Sequence, residues 1–123
     1  MRILIVDDNE AMRRGVKALL ISGNGWEVCG EARDGVEAIE RARELQPDLI
    51  LMDISMPGMN GLEVARCIRK ESVTVKILIM SQNDSAQWLP AAIGAGADGC
   101  IDKTQISTEL PQAINHILPG RSN

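Results

Sequence analysis

The sequence contains very few aromatic residues. Its 123 residues include no Tyr, no Phe and only two Trp, Trp26 and Trp88, so aromatic platforms that stack nucleic-acid bases are not expected. The charge balance agrees, because 13 basic and 17 acidic residues give a formal net charge of −4, whereas nucleic-acid-binding domains present a basic face. We therefore expect no direct nucleic-acid binding by this segment.

Cysteines and long apolar runs are also scarce. The three cysteines, Cys29, Cys67 and Cys100, are odd in number and contain no C-x-x-C pair, which argues against a disulfide framework and a zinc site. No apolar run approaches the ~18 residues of a membrane span. The apolar start reaches Asp7 too early for a signal peptide. These absences predict a cytoplasmic, single-domain protein without membrane association.

Three short apolar runs predict buried strands. They cover residues 3–6, 49–52 and 77–80, and each ends at a polar residue. Continuous apolar strands are buried on both faces, which is typical of a parallel sheet covered by helices. Two weaker strands are predicted at 26–29 and 99–101.

Helical patterns alternate with these strands. Apolar residues at helical spacing predict five helices, at residues 11–20, 34–45, 62–69, 85–95 and 107–118. Asp34 is a plausible N-cap, and Pro90 predicts a short or distorted fourth helix. Five strands alternating with five helices predict a doubly wound α/β sheet, in which ligands bind at the carboxyl ends of the strands.

Polar residues follow four of the predicted strands. Asp7 and Asp8 follow the first, Asp53 the third, Ser81 the fourth and Lys103 the fifth. Carboxylates that converge at one edge repel one another unless a cation lies among them, and oxygen ligands without His or Cys favour Mg²⁺. A metal ion, an ammonium and a hydroxyl around one carboxylate are what phosphoryl transfer to that carboxylate requires.

Four separated motifs make the chain resemble a response-regulator receiver domain of the CheY-like superfamily. Residues 53–61 resemble the D-x-x-M-P-x-x-x-G phosphoacceptor segment, residues 6–9 the acidic pair, Ser81 the hydroxyl position and residues 102–103 the lysine position. The match covers essentially the whole chain. It implies a flavodoxin-like (βα)5 fold with a five-stranded parallel sheet of order 2-1-3-4-5.

The resemblance also implies a domain boundary and roles for individual residues. The receiver domain would cover residues 1–118, and residues 119–123 would be a tail or the start of a linker. Asp53 would accept a phosphoryl group from a sensor histidine kinase, Lys103 would pair with Asp53 and then with the phosphoryl oxygens, and Ser81 would hydrogen-bond the phosphoryl group. The implied ligands of Mg²⁺ (or Mn²⁺) are Asp7, Asp8, Asp53 and the backbone carbonyl of Ser55.

Further features resemble the NarL/LuxR-type subgroup. These are residues 29–32, similar to "VGEA", residues 95–99, similar to "AGADG", and Thr104 after the lysine. Members usually carry a C-terminal helix-turn-helix domain, and nothing after Leu118 could form one. The chain would thus stand alone or be the receiver portion of a longer regulator. Its partner would be an output protein or a second copy in a phosphorylation-dependent homodimer.

Three positions depart from the receiver pattern. Cys100 stands where the family has a switch aromatic, Pro90 lies in the fourth helix, and Gln82 follows Ser81 where many receivers have a small residue. We still expect the face formed by the fourth helix, fifth strand and fifth helix to be the output face. Ser55 and Asn83 occupy positions that tune phosphoryl lifetime in the family.

Two other functions stay open at this point. One is a receiver fold that binds proteins without being phosphorylated; the intact acids, Ser81 and Lys103 argue against it, and the altered Cys100 keeps it open. The other is an aspartyl-phosphate phosphatase of haloacid-dehalogenase type, but that chemistry wants a second acid where Ser55 stands. The receiver interpretation implies self-phosphorylation and slow self-dephosphorylation rather than turnover of a metabolite. Trp88 is either cover for the core or an anchor for a partner.

Overall fold

The apolar runs of the sequence form one five-stranded parallel sheet. The computed structural model describes residues 1–21 and 25–117. The strands are β1 (Arg2–Val6), β2 (Glu27–Ala32), β3 (Leu49–Asp53), β4 (Lys76–Ser81) and β5 (Gly99–Asp102). Their order is β2-β1-β3-β4-β5, with every pairing parallel. The predicted α/β class and strand order are confirmed.

Five helices cover the two faces of this sheet. They are α1 (Glu10–Ile21), α2 (Gly35–Leu45), α3 (Gly61–Glu71), α4 (Ser85–Gly94) and α5 (Ile106–Ile117), with a single 3-10 turn at Lys103–Gln105. Asp34 caps α2, as predicted, by accepting a hydrogen bond from the backbone N of Glu37. The last residue of the predicted domain, Leu118, and the predicted tail at 119–123 lie outside the described residues.

Alternation along each strand separates the core into two apolar clusters. In β1, Leu4 and Val6 belong to the cluster under α2, α3 and α4, whereas Ile3 and Ile5 belong to the cluster under α1 and α5. All five residues of β3 are buried. This two-sided burial explains why the strands read as continuous apolar runs rather than as alternating ones.

The fourth helix is the shortest of the five, as Pro90 led us to expect, but it continues through the proline. Pro90 is the sixth residue of a ten-residue helix, and it removes a backbone N–H that would donate to the carbonyl of Ala86. Ala92 is the one buried residue of this helix. No helix within residues 1–21 and 25–117 has the length and apolar character needed to cross a membrane.

Candidate functional site

A half-buried lysine joins two buried carboxylates at the carboxyl edge of the sheet. Lys103 Nζ lies 2.9 Å from Asp7 Oδ2 and 3.0 Å from Asp53 Oδ1. Asp7 is completely buried and Asp53 is 4% exposed. The sheet brings them together because β1 and β3 are adjacent and parallel, so that Asp7 follows β1 at the edge where Asp53 ends β3.

Asp8 completes a group of three carboxylates. Asp8 is exposed, and its ligand oxygen lies within 4.8 Å of those of Asp7 and Asp53. Three carboxylates against one ammonium leave uncompensated negative charge. Asp7 Oδ2 is buried and has the Lys103 ammonium as its charged neighbour. The remaining negative charge and an all-oxygen ligand set both fit a hard divalent cation such as Mg²⁺.

Burial and the ion pairs act in opposite directions on the protonation of Asp53 and Lys103. Burial raises the pKa of Asp53 above its ordinary value, with the Asp7 carboxylate adding to the rise and Lys103 opposing it. For Lys103, burial by itself lowers the pKa, but the hydrogen bonds and charges of Asp7 and Asp53 outweigh burial and leave the pKa raised. The lysine therefore stays charged beside a carboxylate that is poorly solvated, and poor solvation favours neutralisation or reaction with an electrophile.

Ser81 ends β4 close to this cluster but is bonded elsewhere. It is 1% exposed, and its hydroxyl accepts a hydrogen bond from the thiol of Cys100 at 3.8 Å. No described residue of the carboxylate and lysine cluster hydrogen-bonds the Ser81 hydroxyl. The backbone N of Ser55, by contrast, donates directly to Asp53 Oδ1 at 3.2 Å, while the Ser55 residue itself is exposed.

The structure gives a physical reason for the glycine that ends the segment at residues 53–61. A Cβ at Gly61 would lie 2.4 Å from the Asp53 carbonyl oxygen, so only glycine lets α3 start so close to the end of β3. Arg13 also supports the site but was missed in the sequence: its Nη1 donates to the Asp7 carbonyl at 2.6 Å and its Nε pairs with Glu31 at 3.0 Å. No local sequence signal indicates Arg13, since the Asp7 acceptor is a backbone carbonyl and Glu31 lies on another strand.

A cavity of about 630 Å³ opens beside the cluster. Its lining comes from the loops after β1, β3 and β4 and from α3 and α4: Asp8, Ile54, Ser55, Met56, Pro57, Asn60, Leu62, Gln82, Asp84 and Trp88. Trp88 is 36% exposed, and its indole N–H donates to Asp84 Oδ2 at 2.9 Å. Gln82 thus borders the approach to the site, whereas Asn83 is exposed outside the lining.

The sequence and the fold both resemble those of known proteins. The family model described as "Response regulator receiver domain" matches residues 3–115. The nitrate/nitrite response regulator protein NarP of Escherichia coli is 42% identical over 113 residues, which are 92% of this chain and 53% of that protein. The chain therefore spans about half the length of the curated relatives it matches.

Solved structures agree with the family match. A two-component response regulator of the LuxR family from Aurantimonas superposes with a TM-score of 0.91 at 38% identity, covering 98% of this chain and 86% of the other. The response regulator domain of Thermotoga maritima CheB superposes with a TM-score of 0.84 at 34% identity, covering 94% of each chain.

Proposed function

The chain belongs to the response regulator receiver domain family, as a receiver of the NarL/LuxR type, and on this premise we propose that Asp53 accepts a phosphoryl group from a sensor histidine kinase. The observation that carries the proposal is the Lys103 ammonium, which lies 2.9 Å and 3.0 Å from two buried carboxylates. This family consists of signalling receivers rather than metabolic enzymes. The family match therefore counts against the phosphatase alternative.

In the proposed transfer, Asp53 is the nucleophile. A carboxylate oxygen of Asp53 attacks phosphorus, and the bond from phosphorus to the kinase histidine nitrogen breaks. The electron pair of that bond returns to the imidazole, which takes up a proton. The product is an aspartyl phosphate on Asp53. Burial of Asp53 favours the reaction because the carboxylate has little solvation to lose.

Lys103 and Ser81 stabilise the transferring group. The Lys103 ammonium neutralises charge on the phosphoryl oxygens, and the Ser81 hydroxyl donates a hydrogen bond to one of them. The residues that would hold Mg²⁺ or Mn²⁺ are Asp7, Asp8, Asp53 and the backbone carbonyl of Ser55. A bound ion would supply further neutralisation of the phosphoryl charge. Ser55 and Asn83 would set the lifetime of the aspartyl phosphate by controlling the approach of water.

The proposed output is a change at the face formed by α4, β5 and α5. Helix α4 carries the exposed apolar side chains of Trp88, Leu89 and Ile93, which are 36%, 41% and 51% exposed, and exposed apolar groups of this size favour contact with a partner. The partner would be an output protein, a second copy of the chain, or a DNA-binding domain in a longer protein. We place the receiver at residues 1–118 and in the cytoplasm, with residues 119–123 as a tail or linker.

Intact mass spectrometry tests the proposal. The protein is incubated with acetyl phosphate, with and without Mg²⁺, beside Asp53→Asn and the control Glu44→Gln, which changes an exposed carboxylate on α2. We expect a single phosphoryl adduct that requires Mg²⁺, disappears in Asp53→Asn and persists in Glu44→Gln. Absence of an adduct, together with failure to bind beryllofluoride, would instead favour a protein-binding module that works without phosphorylation.

A further inference from the structure

The hydroxyl of Ser81 is held by a residue that the proposed reaction does not use. Its hydrogen-bond partner is the Cys100 thiol, with 3.8 Å between Sγ and Oγ. Both side chains lie on the same face of the sheet, because Ser81 pairs with Asp102 and Cys100 is two residues before Asp102 on β5. The contact is therefore a diagonal cross-strand pair fixed by strand register.

Few hydrogen-bond partners are available to the Ser81 hydroxyl. Ser81 is 1% exposed, so water does not compete freely for it, and Cys100 Sγ is the only hydrogen-bond partner of Oγ among the described residues. A buried hydroxyl takes the partner that its surroundings offer. In this structure that partner lies on β5 and not among Asp7, Asp53 and Lys103.

The rest of the loop between β4 and α4 is held from the same side. The backbone N of Thr104 donates to the Gln82 carbonyl at 3.3 Å, and Asp102 Oδ1 accepts from the backbone N of Ser85 at 2.8 Å. The backbone attachments of this loop thus come from β5 and the turn that follows it. The Cys100 thiol is the attachment that acts on a functional side chain.

We infer that Cys100 is a positioning residue for Ser81, whose thiol retains the hydroxyl toward β5 until a phosphoryl group on Asp53 competes for it. The inference rests on the proposed function, because it assigns the Ser81 hydroxyl to the phosphoryl group. Thiols are weak hydrogen-bonding groups, so the retention is weak and reversible. Removal of the thiol frees the hydroxyl in advance, and a stronger partner at position 100 retains it more firmly.

Binding of beryllofluoride, a phosphoryl analogue, in the presence of Mg²⁺ tests this inference by titration calorimetry. Loss of one weak hydrogen bond predicts that Cys100→Ala and Cys100→Val bind about two- to fivefold more tightly than the unaltered protein. Cys100→Val keeps an apolar side chain suited to a strand and guards against a folding defect in Cys100→Ala. Cys100→Ser, which offers a hydroxyl in place of the thiol, is expected to bind no more tightly than the unaltered protein.

A second pair of variants separates positioning from a general effect on structure. Ser81→Ala and the double variant Ser81→Ala with Cys100→Val are titrated in the same way. If Cys100 acts through Ser81, the gain from Cys100→Val disappears in the Ser81→Ala background. A gain of equal size in both backgrounds, or equal affinities of the unaltered protein and both Cys100 variants, would overturn the inference alone. An unaltered protein that binds no beryllofluoride would overturn the proposed function, and the inference with it.

Discussion

Two successive helices, α3 and α4, start beside the same site and are attached to the sheet in opposite ways. Helix α3 buries Gly61, Leu62, Val64, Ala65 and Ile68, whereas α4 buries only Ala92. At its start, α3 has a complete capping box, in which Asn60 and Glu63 exchange side-chain to backbone hydrogen bonds. Helix α4 has no side-chain cap from its own N-cap residue, Asp84.

The site therefore has one side, at α3, that is firmly attached to the sheet and another side, at α4, that is weakly attached. Helix α3 is locked to the strand that carries Asp53, so the proposed nucleophile has a rigid support. Helix α4 follows the strand that carries Ser81, and the backbone N of its first residue, Ser85, donates to Asp102 on β5. An element with little buried apolar surface shifts at low cost in free energy, which suits α4 to move when the site changes.

Gly61→Ala is the substitution expected to disturb the α3 side of the site most. In Gly61→Ala, a Cβ would lie 2.4 Å from the Asp53 carbonyl oxygen, so β3 or α3 must shift. We expect a loss of about 2–4 kcal/mol in the free energy of unfolding, in the range of strongly destabilising substitutions, together with weaker beryllofluoride binding. Urea unfolding and calorimetry measure the two effects.

Gly15→Ala is the matched control for this substitution. A Cβ at Gly15, inside α1, meets nothing within 4 Å, so the change should stabilise the protein by about 0.5–1 kcal/mol through helix propensity. Equal stability of Gly61→Ala and the unaltered protein would contradict the interpretation that α3 is firmly attached to β3.

The charge of Asp53, at the end of β3, is expected to oppose folding. Because burial raises its pKa in the folded state, the ionised carboxylate favours the unfolded chain at neutral pH. Asp53→Asn in metal-free buffer should therefore raise the free energy of unfolding, by on the order of 1 kcal/mol. The gain should vanish as the pH falls below the ordinary Asp pKa of about 3.9, where the carboxyl is protonated in both states.

Urea unfolding at several pH values measures this gain. Added Mg²⁺ should stabilise the unaltered protein more than Asp53→Asn, since a bound ion stabilises the folded state that holds it. Identical unfolding curves for the two proteins at pH 7 without metal would show that the buried charge carries no penalty.

A pair of N-cap substitutions tests the difference in capping between α3 and α4. Asn60→Ala removes the capping box of α3 and should cost about 1 kcal/mol. Asp84→Ala removes no cap bond from α4 and only the exposed hydrogen bond from the Trp88 indole, so we expect a change within about 0.5 kcal/mol. Chemical unfolding of both variants tests the difference, and a larger cost at Asp84 than at Asn60 would reverse it.

The smallest expected effect is local to α4. Asp102→Ala removes the acceptor of the Ser85 backbone N–H, so the first amides of α4 should exchange with solvent several-fold faster while those of α3 keep their rates. Hydrogen exchange followed by NMR reads both helices in one sample, with Asp102→Asn as the variant that keeps an acceptor oxygen. Equal acceleration in α3 and α4 would mean that Asp102 stabilises the whole domain and not this helix.

Much of the fold was predictable because parallel strands leave a strong local pattern. The runs that end at Asp7, Asp53 and Ser81 marked β1, β3 and β4. The second strand extends further than predicted, to Ala32, because its glycine and polar residues lack the apolar signal. The capping box at Asn60 and Glu63 was readable from its spacing and was overlooked.

The sequence by itself determined which residues end the strands, and parallel pairing then required those ends to share one edge. This is why the motifs at Asp7, Asp8, Asp53 and Lys103 indicate a family and a chemistry from the sequence alone. Tertiary structure alone decided the contacts that join distant segments: Arg13 on Glu31, Cys100 on Ser81, and Asp102 at the start of α4. Such contacts depend on strand register and helix placement, which no local pattern of residues records.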